Sequence, residues 1–365
     1  MKPARSAPTS CAAAGSLSPM SAILSATALA ALLALAAPTA PVDHALIISV
    51  DGLRSDMLEP PNIGALPNFA RLMRGPHTLE ARTDAQYTIT LPNHVSMLTG
   101  RPVLGPYGHT WARNDDPAAA KDGGTLHIHK GAYIASVFDV AHDHGLSTCC
   151  ASTKSKFWLL EQSYGWTAGA RDTTGEDNGL AKIDLFAFAN ATDEIAGAVA
   201  DRLRREGTRS LSFVHFAAPD IAGHSFDWIV RPDSKYFASV VEVDRALGEI
   251  LKAIDGDPEL AGRTAIVLTS DHGGGVPRKT HTDITCPLNF RIPFLVWSGD
   301  AEPSDLYASN PARLKPAREA LVGRDDTLQP VRNGDAANAA LALLGLPPIP
   351  GSFYGSLVPL EPRRR

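Results

Sequence analysis

Residues 45–54 read A-L-I-I-S-V-D-G-L-R: a run of six small or aliphatic residues that ends abruptly in Asp51-Gly52. An unbroken apolar run of this length, closed by a turn pair, is the pattern of a strand buried on both faces rather than the alternation of a half-exposed one. Three further segments repeat it: Leu146–Ser152, Leu211–Phe216 and Thr264–Thr269. Between them lie helical periodicities at Leu66–Met73, Ile134–His142, Thr192–Arg205 and Tyr236–Ile254. Strand and helix in alternation predict an α/β fold, a mostly parallel central sheet covered by helices on both faces. In such sheets sites form beyond the carboxyl ends of strands, so the polar residues that follow each strand carry the functional information.

The rest of the chain sets bounds. Lys2 and Arg5 precede an uncharged Ala/Leu-rich stretch, Ala22 to Ala37, and small residues at Ala34-Leu35-Ala36-Ala37 precede Pro38. This is the layout of a secretory signal peptide over residues 1–40, cleaved between about Ala36 and Ala40, and it predicts an exported protein, periplasmic or secreted; a retained N-terminal anchor is the alternative. Loss of Lys2 and Arg5 moves the formal charge from −5 to −7. An acidic body offers no electrostatic basis for nucleic-acid binding. Cys149, Cys150 and Cys286 remain after the leader, an odd number that excludes a complete disulfide framework; one bridge to Cys286 or three buried thiols both stay open. No repeat or low-complexity linker follows residue 41, so residues 41–365 are read as one domain, with Pro/Gly-rich loops near 101–125 and 160–180.

The strand ends converge on one chemistry. The first delivers Asp51; the fourth ends in Thr269-Ser270-Asp271-His272 followed by Gly273-Gly274-Gly275. The third is followed by Ala218-Pro219-Asp220-Ile221-Ala222-Gly223-His224, where an Asp and a His four apart share a helix face and can hold one ion. Thr90, in Tyr87-Thr88-Ile89-Thr90-Leu91-Pro92-Asn93-His94, sits where a short helix begins. There it is either a helix cap or a nucleophile facing an anion at the positive end of the dipole. A threonine hydroxyl needs a metal or a base before it attacks anything at neutral pH.

D-G after a first strand, T-x-P-N-H, D-x-x-G-H and S-D-H-G, in this order, resemble the nucleotide pyrophosphatase/phosphodiesterase branch of the alkaline phosphatase superfamily. The similarity extends from about Ala45 to Gly334-Asp335 and the closing Leu-Gly-Leu-Pro-Pro loop. The resemblance implies an alkaline phosphatase-like fold, two Zn2+ ions and hydrolysis of a small phosphate ester or nucleotide through a phosphothreonine. Carried over by position, it makes Thr90 the nucleophile and Asp51, Thr90, Asp271 and His272 the ligands of one zinc. Asp220 and His224 would hold the second. The family's downstream Gly-x-His-Gly context is missing here, and His281, the only histidine after His272, takes the third place at the second ion; a solvated loop histidine is its other reading.

Asn114 stands at the family's H-G-x-x-x-N spacing from His109, with Thr110 where glycine is usual, and is the candidate oxyanion donor. It could equally serve its own loop. No Cys or Ser occupies a sulfatase-type C/S-x-P-x-R context, and a neutral Asn in place of a clamping arginine suits a singly charged diester better than a dianionic monoester. Lys154 and Lys156, in Thr153-Lys154-Ser155-Lys156, resemble the Lys-x-Lys segment of phosphonoacetate hydrolase and are candidate substrate contacts, or else a solvated turn. The alternatives are accordingly a carbon–phosphorus hydrolase, a phosphomonoesterase or an exported metal-binding module without catalysis.

Overall fold

A computed structural model describes residues 41–116, 124–176, 179–205, 207–299 and 302–357. The predicted leader, with Cys11, lies outside the described residues. The four anticipated strands form the centre of one eight-stranded sheet: β1 (His44–Val50), β3 (Ser147–Ser152), β5 (Ser210–Phe216) and β6 (Thr264–Thr269). The other four are β2 (Pro76–Arg82), β4 (Leu185–Phe188), β7 (Arg291–Ser298) and β8 (Ser304–Asp305). Their order is β4-β3-β5-β1-β6-β7-β2-β8. β4, β3, β5, β1 and β6 are mutually parallel, and β7 runs antiparallel to both its neighbours. The sheet is therefore mixed but mostly parallel.

β1 shows why both faces must be covered. All seven of its residues are buried. Ala45 and Ile47 enter one apolar core, together with Leu98, Phe138 and Leu341; Leu46, Ile48 and Val50 enter the other, with Val199, Val243 and Leu247. These partners come from helices Thr90–Thr99, Val137–Asp143 and Ala336–Leu343 on one side and Thr192–Arg205 and Lys235–Asp255 on the other. The period-two pleat thus splits one apolar run between two helical layers.

β7 was not anticipated, and Pro293 in its middle is the reason: a proline cannot donate to a ladder. The structure accommodates it at a register shift, where β2 bulges between Thr78 and Ala81 opposite Ile292–Phe294. The loop expected at 160–180 begins inside a helix, Trp158–Tyr164, and the one expected at 101–125 gives way to Leu126–Lys130. Cys149, Cys150 and Cys286 form no disulfide among the described residues. No helix among the described residues is long and apolar enough to cross a membrane.

Candidate active site

β1, β5 and β6 end side by side, so Asp51, the Ala218–Phe226 helix and Ser270-Asp271-His272 meet beyond one edge of the sheet. Gly52 makes the approach possible. It turns with φ +72°, and a Cβ there would meet the Asp220 Cα at 3.0 Å. On the far side the loop after β6 rests on Trp228, where a Cβ at Gly274 would fall 2.2 Å from the indole.

The imidazoles are oriented from behind. His272 Nδ1 donates to the Gly273 carbonyl at 2.8 Å, His281 Nδ1 to the Thr88 carbonyl at 2.5 Å, and His224 Nδ1 to the Lys279 carbonyl at 2.8 Å. A carbonyl can only accept, so in each ring Nδ1 carries the proton and Nε2 presents its lone pair. Those lone pairs face carboxylate oxygens. His272 Nε2 lies 3.2 Å from Asp271 Oδ2 and 3.5 Å from Asp51 Oδ1; Asp220 Oδ1 lies 3.3 Å from His224 Nε2 and 3.8 Å from His281 Nε2.

Asp51 Oδ1, Asp220 Oδ1 and Asp271 Oδ2 are buried and accept no hydrogen bond. Three carboxyl oxygens left without donors, opposite nitrogens whose lone pairs point the same way, form an arrangement that a cation would satisfy and hydrogen bonds do not. Two ligand groups result: Asp51, Asp271 and His272, and Asp220, His272 and His281. His272 belongs to both. His224 joins neither compact group; its ring is half-exposed, 5.1 Å from that of His281, and it reaches the site through Asp220.

Thr90 is the first residue of its helix, buried, with Oγ1 3.5 Å from His272 Nε2. Asn114 Oδ1 accepts the Leu91 N–H at 3.0 Å, which turns the Asn114 amide into the donor end beside Thr90. Lys154 Nζ does not stand in a turn. It bridges Asp51 Oδ2 at 2.7 Å and Asp220 Oδ2 at 2.6 Å. Lys156 is half-buried, and its ammonium makes no ion pair or hydrogen bond among the described residues.

Burial works against charge throughout, and the pairings decide each outcome. It raises Asp51, but Lys154 and His215 overcome it and hold that carboxyl well below the ordinary range. Asp220 is likewise lowered, burial and Asp51 being outweighed by Lys154 and His224. Asp271, buried beside both other carboxylates, is raised. Burial lowers His272 and brings His281 down to about 3, so both are neutral imidazoles. The Asp220 carboxylate beside it raises His224.

Of the residues that support this cluster, Asn93 was legible in the sequence as an organiser of the helix start, whereas His215 and His94 were missed. His215 Nε2 meets Asp51 Oδ2 at 3.0 Å, and its Nδ1 meets Ser152 Oγ at 3.2 Å. His94 Nδ1 reaches the Thr90 carbonyl at 2.7 Å while Nε2 takes the Ser49 hydroxyl at 2.7 Å. Asn93 ties the loop before Thr90 to Asn333. A histidine inside an apolar strand, as His215 is, carried no signal that distinguished it from core.

The family model described as type I phosphodiesterase/nucleotide pyrophosphatase matches residues 45–283. GPI ethanolamine phosphate transferase 1 of Neurospora crassa is 32% identical over 167 residues, 45% of this chain and 16% of that protein. Human ectonucleotide pyrophosphatase/phosphodiesterase family member 5 is 26% identical over 239 residues, 62% of this chain and 44% of that one. The chain spans less than half the length of these curated relatives. The solved structure of murine ectonucleotide pyrophosphatase/phosphodiesterase 5, an inactive variant in complex with AMP, superposes with a TM-score of 0.54 at 15% identity and covers 86% of this chain and 99% of its own. That likeness concerns the fold.

Proposed function

The chain belongs to the type I phosphodiesterase/nucleotide pyrophosphatase family, and from that premise we propose that it hydrolyses phosphodiester or nucleotide pyrophosphate bonds with two zinc ions, Thr90 forming the covalent intermediate. The observation that carries this reading is that the three unsatisfied carboxylate oxygens converge with His272 and His281 in two ligand groups, and that His272, common to both, holds its Nε2 3.5 Å from the Thr90 hydroxyl. Asp51, Asp271 and His272, with Thr90 itself, would hold one ion; Asp220, His281 and His224 would hold the other. When bound, the ions supply the positive charge that acidifies a hydroxyl and screens a phosphate.

The protein's own groups do the rest. Thr90 Oγ attacks phosphorus, a P–O bond to the alcohol or phosphate leaving group breaks, and water then cleaves the phosphothreonine ester to regenerate the hydroxyl. The helix that starts at Thr90 directs its positive end at the transferred group. Asn114, with its oxygen occupied by Leu91, offers its amide to a nonbridging oxygen. Both donors are weaker than a guanidinium, which favours one negative charge on the transferred group over two. A nucleotide-type substrate agrees with the AMP named for the murine structure. We further propose that residues 1–40 direct export and are removed.

Side-by-side turnover of bis-p-nitrophenyl phosphate, p-nitrophenyl phosphate and phosphonoacetate tests the assignment. The diester is expected to be turned over fastest. Preference for phosphonoacetate would move the activity to carbon–phosphorus cleavage, and turnover of none by zinc-loaded protein would leave a binding module.

A further inference from the structure

Asp51 and Asp220 reach the cluster from different elements, the end of β1 and the helix after β5, yet they share a partner. Each divides its two oxygens in the same way. Oδ2 of both accepts from Lys154 Nζ, at 2.7 and 2.6 Å, and His215 closes on the same Asp51 Oδ2 at 3.0 Å. Oδ1 of both is buried without a hydrogen bond and faces the imidazole nitrogens. A carboxylate with one oxygen held by an ammonium has a single oxygen left for a second cation. The lysine side chain itself is only 14% exposed, with its head enclosed between the two carboxylates.

We propose that Lys154 is a fixed internal cation of the centre, a positioning residue that ties the two ligand groups together and restricts Asp51 and Asp220 to one coordinating oxygen each. The inference rests on the two-metal reading. It separates Lys154 from Lys156, which has no such partner among the described residues and is the lysine left to meet an anionic substrate. It also assigns Lys154 a role before any ion arrives. Two buried carboxylates without compensation are strongly destabilising, and an ammonium between them meets that need. Bound ions would meet it again, so Lys154 stabilises the metal-free fold more than the loaded one. By linkage, its removal must tighten metal binding.

Lys154→Met and Lys156→Met, compared with the wild type, test this. The readouts are melting temperature with and without zinc, zinc affinity by chelator competition, and the visible absorption of the cobalt(II)-substituted proteins. Lys154→Met should melt several degrees lower without metal, gain more from zinc, and bind zinc about tenfold more tightly. Its cobalt band should weaken as freed carboxylate oxygens enlarge the coordination shell. Lys156→Met should raise KM and leave all metal readouts unchanged. If Lys154→Met matches the wild type in melting, affinity and cobalt spectrum, or binds zinc more weakly, the proposal is overturned. Should the variant fold only with metal, the cobalt band of protein refolded with metal decides by itself. Failure of the wild type to bind zinc would contradict the two-metal reading instead, and the metal-free melting comparison would still read the lysine tie.

Discussion

Thr90 Oγ1 stands 3.5 Å from Nε2 of His272, the nitrogen left proton-free because Nδ1 of the same ring donates to the Gly273 carbonyl. One imidazole thus faces the hydroxyl at the start of a helix and carboxylates from two strand ends at once. The geometry connects the Thr90 hydroxyl to the cluster through the site's most shared residue, which belongs to both ligand groups.

His281 contributes to only one of those groups, with Asp220 and His272. His281→Ala should therefore keep about one of two zinc ions, since three protein ligands are the usual minimum for a retained catalytic zinc. Metal analysis after gel filtration reads the stoichiometry directly. Retention of both ions would remove His281 from the ligand set.

How far the sequence reached is instructive at this residue. Asp51, Asp271 and His272 were legible because each follows a buried strand, where the carboxyl edge of a parallel sheet is a strong prior for function. His281 follows no strand. It lies in a loop, and its place depends on the Thr88 carbonyl 193 positions earlier, a contact no local pattern encodes. Lys154 was visible as a cation after β3, but its enclosure by Asp51 and Asp220 depends on the strand order β3-β5-β1. β2 and β4 escaped for a simpler reason: one carries Glu80 and Arg82 at the periphery, and the other is four residues long at the sheet's edge.

Gly274 is a packing requirement of the site loop. Its absent side chain leaves room for the Trp228 ring, which a Cβ would approach to 2.2 Å, whereas a Cβ at Gly64 would meet nothing within 4 Å. Gly274→Ala should cost about 1–3 kcal/mol, as overpacking does. Gly64→Ala should stay within about 0.5 kcal/mol. Urea unfolding of both variants measures the contrast, and equal stabilities would refute the packing argument.

Asp139 gives the fold a pH dependence away from the carboxylate–histidine cluster. Burial pushes its carboxyl up to about 7, although Ser136 and Tyr133 donate hydrogen bonds that oppose the rise. The unfolded value is about 4. Between those values the folded chain binds the extra proton, so stability is fully present below about pH 4 and falls as pH rises through about 7, at most by about 1.4 kcal/mol per pH unit. Unfolding in chelator across pH 4–8 should show Asp139→Asn lacking that part of the slope. Parallel pH profiles for the two proteins would contradict the assignment.

The most direct test of the central claim is zinc content measured together with bis-p-nitrophenyl phosphate turnover in Thr90→Ala and the wild type. Thr90 Oγ is the attacking atom in this account, while Asp51, Asp271 and His272 remain to hold the ion beside it. Thr90→Ala should therefore retain zinc and lose turnover by about a thousandfold or more. A zinc-loaded Thr90→Ala protein that hydrolyses the diester at the wild-type rate would contradict the nucleophile and, with it, the proposed mechanism.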